Sequence, residues 1–316
     1  MTQITVHHWI AKPVKQLKKS ASALLIAMLT VCSSASGAEP PLLDVWPDLA
    51  PGETSRETGT ALPTRSGEAK PITRVAGVRR PTLQVYVAKN NPSGTGVVIL
   101  PGGGFTYVVP DLEGSEAALW LNELGVTAFV LSYRTKESAA EGEPLWQRPL
   151  QDAQRALRLI RSQADRWHLD TQRIGLLGFS AGGQVAAIAH THSAKDSYPS
   201  VDEVDRQSSR PDFSLLVYPW QVLNAASGEL IEPIRVDSQS PPAFIVHTHD
   251  DASSSVGAAK IYIALKQNKV LAELHVYQNG GHGYGLRERP NSAISSWPAR
   301  AGEWLKLRGL LDSSKP

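Results

Sequence analysis

Cysteine is almost missing from this chain: Cys32 is the only one in 316 residues. A disulfide framework needs pairs of cysteines, and a thiolate metal site needs several, so both are excluded. Also missing is an apolar run long enough to cross a bilayer, which takes about 20 residues. The one stretch rich in apolar residues, 21–31, is far shorter and follows four lysines (Lys12, Lys15, Lys18, Lys19) with no acid among them. Small residues come next, Ser33 to Ala38, before Glu39 and Pro40. Basic, apolar and small segments in that order are the pattern of a secretory signal, with cleavage expected near Ala38. The mature protein is therefore expected to be secreted or periplasmic, without a stable membrane span and without cysteine.

An excess of positive charge is lacking as well. The whole chain carries +2, from 32 basic and 30 acidic residues. Removing residues 1–38 leaves 28 basic and 30 acidic residues, a net −2. The positive balance belongs to the export segment, so it gives no footing for a nucleic-acid partner. Internal repeats and low-complexity linkers are absent beyond residue 80. The sequence sets no oligomeric state.

What is present after the signal divides in two. Residues 39–80 are rich in Pro, Gly, Thr and Glu and read as an extended N-terminal arm. From 81 to 312 the pattern is regular and reads as one domain. Short apolar runs at 83–87, 97–100, 127–131, 174–177, 213–218, 243–248 and 272–277 suit strands buried on both faces. Between them lie helical patterns at 114–124, 182–190, 256–268 and 294–305. A further stripe of Leu150, Ala153, Leu157, Ile160 and Ala164 recurs at three- and four-residue steps. Strands alternating with helices predict an α/β fold: a mainly parallel central sheet with helices on both faces.

Three segments carry chemistry. Gly178-Phe179-Ser180-Ala181-Gly182 fits G-x-S-x-G and stands between an apolar run and an Ala-rich helical segment. A sharp strand-to-helix turn exposes such a serine, and the amide of Ala181 at the helix start faces developing negative charge. An ordinary Gly/Ser loop is the plain alternative. Residues 97–105, VVILPGGGF, place glycines directly after an early strand. Backbone amides there, with Gly103 and Gly104 the candidates, would complete an oxyanion hole. A phosphate loop is disfavoured, because neither the P-loop Lys-Ser/Thr nor the dinucleotide spacing is present. A serine also needs a base and an orienting carboxylate, in the chain order Ser, acid, His. The strand 243–248 ends in Asp250 and Asp251, with Asp251 the first choice and Asp250 the reserve. His282 sits in the glycine-rich loop NGGHGYG after the last strand, whereas His247 and His249 lie on or at the end of a strand.

These segments together resemble the α/β-hydrolase esterases that include acetyl xylan esterases and other carbohydrate esterases. The carriers are PGGGF (101–105), LQDAQRALRLIR (150–161), RIGLLGFSAGG (173–183), RPDFSLLVYP (210–219), HTHDD (247–251) and ELHVYQNGGHGYGL (273–286). The resemblance implies an α/β-hydrolase fold and a Ser180–Asp251–His282 triad. It also implies an oxyanion hole from Ala181, Gly103 and Gly104, with no metal and no cofactor. Pro101 stands where related lipases and esterases begin this loop with histidine. The expected substrate is a small-molecule or oligosaccharide ester, such as acetylated xylan fragments, because no long apolar insertion suggests a lipase lid. Tyr107 and Trp220 are candidates to stack on sugar rings, with simple packing as the alternative. The rivals are a peptidase or lipase of the same fold, and a non-catalytic carbohydrate-binding protein, which would not need the three residues in fold order.

Overall fold

The computed structural model describes residues 40–90, 92–191 and 196–312. The expected signal segment, 1–38, lies outside the described residues. Among the described residues, ten strands and five α-helices follow one another along the chain. The first strands are β1 (Leu42–Asp44), β2 (Thr58–Ala61), β3 (Val75–Val78), β4 (Thr82–Tyr86) and β5 (Gly96–Leu100). Then come α1 (Glu116–Glu123), β6 (Thr127–Ser132), α2 (Gln147–Ser162), β7 (Ile174–Phe179) and α3 (Ser180–Thr191). The last are β8 (Ser214–Val217), β9 (Ala243–Thr248), α4 (Val256–Gln267), β10 (Ala272–Tyr277) and α5 (Trp297–Leu307).

Eight strands form one sheet in the order β1-β4-β6-β5-β7-β8-β9-β10. The β1/β4 and β4/β6 pairs are antiparallel, and every pair from β6 onward is parallel. The apolar runs explain this placement. β5 and β7 are buried at every residue, which only a central strand covered on both faces allows. Two apolar clusters cover the sheet. One draws on α2, α3 and α4 through residues such as Leu157, Val185 and Ile261. The other draws on α1 and α5 through Leu121, Trp297 and Leu305.

The segment 40–80 is extended but also packed onto the domain. β1 adds an edge strand to the sheet, and β2 pairs with β3 in a separate hairpin. Trp46 is 2% exposed, and its Nε1–H donates to Asp152 Oδ1 at 2.9 Å. The same carboxylate holds the buried Arg134. These strands are only three or four residues long, so no apolar run announces them.

The parallel half of the sheet fixes where chemistry can occur. The segments that follow the carboxyl ends of β5, β7, β8, β9 and β10 all emerge along one edge, as is usual for ligand sites in open α/β sheets. They carry Gly103, Ser180, Trp220, Asp251 and His282 in turn.

Candidate active site

Ser180 is the first residue of α3, immediately after β7, with φ +52°. The left-handed region is costly for a residue with a Cβ, and it persists only where the surroundings over-determine it. Gly182 does much of that here. A Cβ on Gly182 would overlap the carbonyl oxygen of Leu100 and lie 2.5 Å from that of Pro101. Helix α3 thus starts hard against the end of β5, which brings the serine beside the glycine loop.

Ser180 Oγ is 2.7 Å from His282 Nε2, and His282 Nδ1 is 2.6 Å from Asp251 Oδ2. The Asp251 side chain is fully buried, while that of His282 is about one-third exposed. The other Asp251 oxygen accepts the Ser253 amide at 2.7 Å. A carboxylate on Nδ1 fixes the tautomer that leaves Nε2 free to take a hydroxyl proton. Asp250 points elsewhere: it accepts the amides of Gly280 and Gly281 at 3.2 and 2.9 Å. The Gly281 amide, with that of Gly280, holds the Asp250 carboxyl below its usual range. Of two adjacent carboxylates, one meets the imidazole and the other ties down the loop that bears it. The histidine loop is anchored further by Thr248 Oγ1, which donates to the Gly281 carbonyl at 2.7 Å. The glycines of this loop therefore serve a fixed turn. His247 is buried beside Asp251, with Nδ1 at 3.8 Å from Oδ2, and burial depresses its pKa.

Opposite Ser180, Gly103 has φ +133°, and a Cβ there would collide with the Tyr107 carbonyl. The amides of Gly103 and Gly104 have no hydrogen-bond acceptor among the described residues. The Ala181 amide lies in the first turn of α3, where helix geometry supplies no acceptor. The Gly102 amide is committed elsewhere, donating to Glu113 Oε2 at 2.7 Å.

Glu113 belongs to a network that the sequence reading missed. Its second oxygen accepts the Tyr218 hydroxyl at 2.7 Å, and Tyr218 Oη accepts the Gly285 amide at 3.0 Å. Burial pushes the Glu113 carboxyl above its ordinary pKa, against the pull of the Tyr218 and Gly102 bonds. This chain of bonds links the glycine loop to the loop that carries His282. The Tyr218 ring also lies 4.9 Å from the His282 ring.

A cavity of about 630 Å³ opens over these groups, lined in part by Gly103, Gly104, Tyr107, Ser180, Trp220 and His282. Tyr107 and Trp220 thus both face the site. Trp220 is also held structurally, its amide donating to the Ser180 carbonyl at 3.0 Å and its ring 6.2 Å from Phe105. Arg65 and Arg74, unremarked in the sequence, line the same cavity beside Tyr107. Among the described residues, no cluster of three His, Cys, Asp or Glu side chains is arranged to hold a metal ion.

Sheet order, elbow and strand-end loops define the α/β-hydrolase fold. The solved structure of an acetyl ester-xyloside bifunctional hydrolase from Caldicellulosiruptor lactoaceticus is 29% identical, with a TM-score of 0.67 over 87% of this chain and 99% of that one. The carboxylesterase Cest-2923 from Lactobacillus plantarum shares the fold at 24% identity and a TM-score of 0.60, over 81% of this chain and 100% of its own. The BD-FAE family matches residues 83–218. In sequence the chain resembles an acetylxylan esterase of Xylanibacter ruminicola, 28% identical over 62% of this chain and 42% of that protein. It is also similar to endo-1,4-beta-xylanase B of Butyrivibrio fibrisolvens, 29% identical over 69% of this chain and 36% of that protein. The chain spans about two fifths of the length of these curated relatives.

Proposed function

We propose that this protein is an exported serine esterase that removes short acyl groups, acetyl above all, from the hydroxyl groups of sugars. The observation that carries this reading is the unbroken relay from Ser180 Oγ through His282 to Asp251 at the head of α3. His282 Nε2 takes the hydroxyl proton as Ser180 Oγ attacks the ester carbonyl. The amides of Ala181, Gly103 and Gly104 receive the resulting oxyanion, and one such donor is worth about 3–4 kcal/mol. His282 then gives its proton to the departing alcohol oxygen, leaving an acyl-Ser180 ester. A water deprotonated by His282 attacks that ester and releases the acid. Asp251 stays ionised throughout and stabilises the imidazolium.

Acetylated xylan fragments are the favoured substrates. The reading rests on likeness to an acetylxylan esterase and an acetyl ester-xyloside hydrolase. Tyr107 and Trp220 at the cavity wall suit a sugar ring. The xylanase name of one relative does not carry over: glycoside cleavage needs two carboxylates flanking the sugar bond. Here Glu113 is tied to Gly102 and Tyr218, and Asp251 to His282. Export is supported by the basic, apolar and small-residue order of residues 1–38.

Ser180→Ala tests the reading. Turnover of 4-nitrophenyl acetate should fall by several orders of magnitude with the thermal melt preserved. Wild-type kcat/KM should drop steeply from acetate to octanoate esters. Activity of the variant within tenfold of wild type would end the serine mechanism, and a preference for octanoate would end the short-acyl assignment.

A further inference from the structure

Most arginines of this protein are matched to carboxylates. Arg74 Nη2 is 2.6 Å from Glu68, and Arg287 Nη2 is 2.8 Å from Glu116. Arg65 makes no ion pair with a carboxylate among the described residues, although its charge acts on the Glu68 carboxyl that Arg74 holds. It is an exposed residue that lines the cavity containing Ser180 and His282. Its Nη2–H donates to the Tyr107 hydroxyl at 3.3 Å, and its guanidinium carbon is 5.8 Å from the Tyr107 ring centroid. Arg74 approaches the same ring at 5.9 Å and is itself fixed by Glu68 and the Ile72 carbonyl. Tyr107 is thus oriented by two arginines, and only one of their charges is neutralised by Glu68.

Among the residues that line the cavity, no ionised carboxylate offsets Arg65. Glu113 is the one acidic residue in the lining. It lies buried under the glycine loop, its oxygens occupied by Gly102 and Tyr218, and burial biases it toward the neutral form. Behind the cavity-lining Gly283, Arg289 donates to its carbonyl at 2.9 Å, and it too makes no ion pair with a carboxylate among the described residues. A guanidinium stays charged at any working pH, and its planar fork matches a carboxylate in two parallel bonds. Tyr107 occupies one Nη donor of Arg65 and leaves the others for a ligand.

We propose that Arg65, held by Tyr107, forms an anion subsite that selects esters whose substrate also carries a carboxylate. This deepens the esterase reading and rests on it for the location of the reacting ester. The carboxylate has two possible sources: a uronic acid on the alcohol side, or a free acid on the acyl side. Both place a negative charge within the same cavity, and ionic strength should weaken either.

Binding and turnover test it separately. The full-chain Ser180→Ala protein would be titrated calorimetrically with glucuronate, glucose and succinate. Binding of glucuronate at least about tenfold tighter than glucose supports an alcohol-side carboxylate. Binding of succinate without a glucuronate preference supports an acyl-side one. Arg65→Glu should abolish the preference, and Arg65→Lys should keep part of it as a point charge without the fork. If neither anion binds better than glucose, or if Arg65→Glu leaves the preference unchanged, the subsite is overturned. The esterase reading stands or falls on wild-type turnover of 4-nitrophenyl acetate, so a carboxylate that binds to a protein inactive on that ester would sink only that reading. In an active enzyme, the kcat/KM ratio of acetylated methyl glucuronoside to acetylated methyl xyloside, or of 4-nitrophenyl hemisuccinate to the acetate, should fall about tenfold in Arg65→Glu on the side where the anion binds.

Discussion

Asp250 and Asp251 share a strand end and a side-chain type, yet the structure gives them different work. Asp251 is buried against His282, whereas Asp250 is spread over two loop amides at the surface. Asp251→Asn should therefore lower kcat about 10⁴-fold by favouring the wrong imidazole tautomer. Asp250→Asn should cost far less, because an amide oxygen can still accept one of the two bonds that shape the loop. Steady-state kinetics of both variants at pH 7–8 checks this, and a dead Asp250→Asn beside an active Asp251→Asn would reverse the roles. The linkage at Asp250 has a definite sign. Its folded pKa is depressed, so its contribution is present above the unfolded carboxylate value and is lost as pH falls through the folded one. At this scale the sequence was legible where a motif marks a local turn, as at Ser180, or a glycine-rich loop, as at His282. The choice between adjacent aspartates rested on resemblance, because orientation at a strand end depends on what packs against it.

Between elements, the sequence was much less legible. The bond from Glu113 to Tyr218 spans 105 positions, and nothing local marks either partner. Glu113 lies just before α1, where an acidic residue in the first turn is ordinary and would be taken for a solvated one. Its role emerges only when β5, β8 and the histidine loop converge on it. Glu113→Ala would strand the buried Gly102 amide and the Tyr218 hydroxyl, at about 1–3 kcal/mol each. The expected result is a lower melting temperature together with a reduced kcat, as both loops of the site lose their tie. Glu113→Gln should retain more of both. The pH dependence separates charge from shape. Because burial raises the folded pKa of Glu113, the native state holds this proton more tightly than the unfolded chain does. Its stabilising contribution is complete below the unfolded carboxyl value and declines as pH rises through the folded one. Melts of wild type and Glu113→Gln across pH 4–8 should therefore show wild type losing ground to the variant as pH increases. Parallel curves would mean that the carboxyl does not titrate differently on folding. Strands were legible where they are central and apolar, as in β5 and β7. β1, β2 and β3 escaped notice because each is only three or four residues long, too short for a periodic pattern to show.

For the molecule as a whole, the antiparallel flank has a consequence for behaviour in solution. β1 is a three-residue edge strand paired with Gln84, Leu83 and Thr82 of β4. Its Asp44 is bridged to Arg80, so the outermost strand is short and charged. Such an edge offers little template for another chain. Trimming the protein to start at Val45 would leave β4, with the sequence TLQVY, as the edge strand: still paired with β6, but with the backbone groups that face β1 left unpaired. The loops of the candidate site lie at the carboxyl ends of other strands, so freshly purified trimmed protein should keep whatever turnover of 4-nitrophenyl acetate the parent shows. Its colloidal stability should differ: light scattering should rise with protein concentration and time, while the parent stays monodisperse. A lysine at position 84, whose side chain is only half-buried, should suppress that growth in the trimmed chain. If scattering is the same with and without residues 40–44, β4 is protected by something other than β1. On this account the first described strand acts as a stopper, keeping an otherwise growing sheet finite.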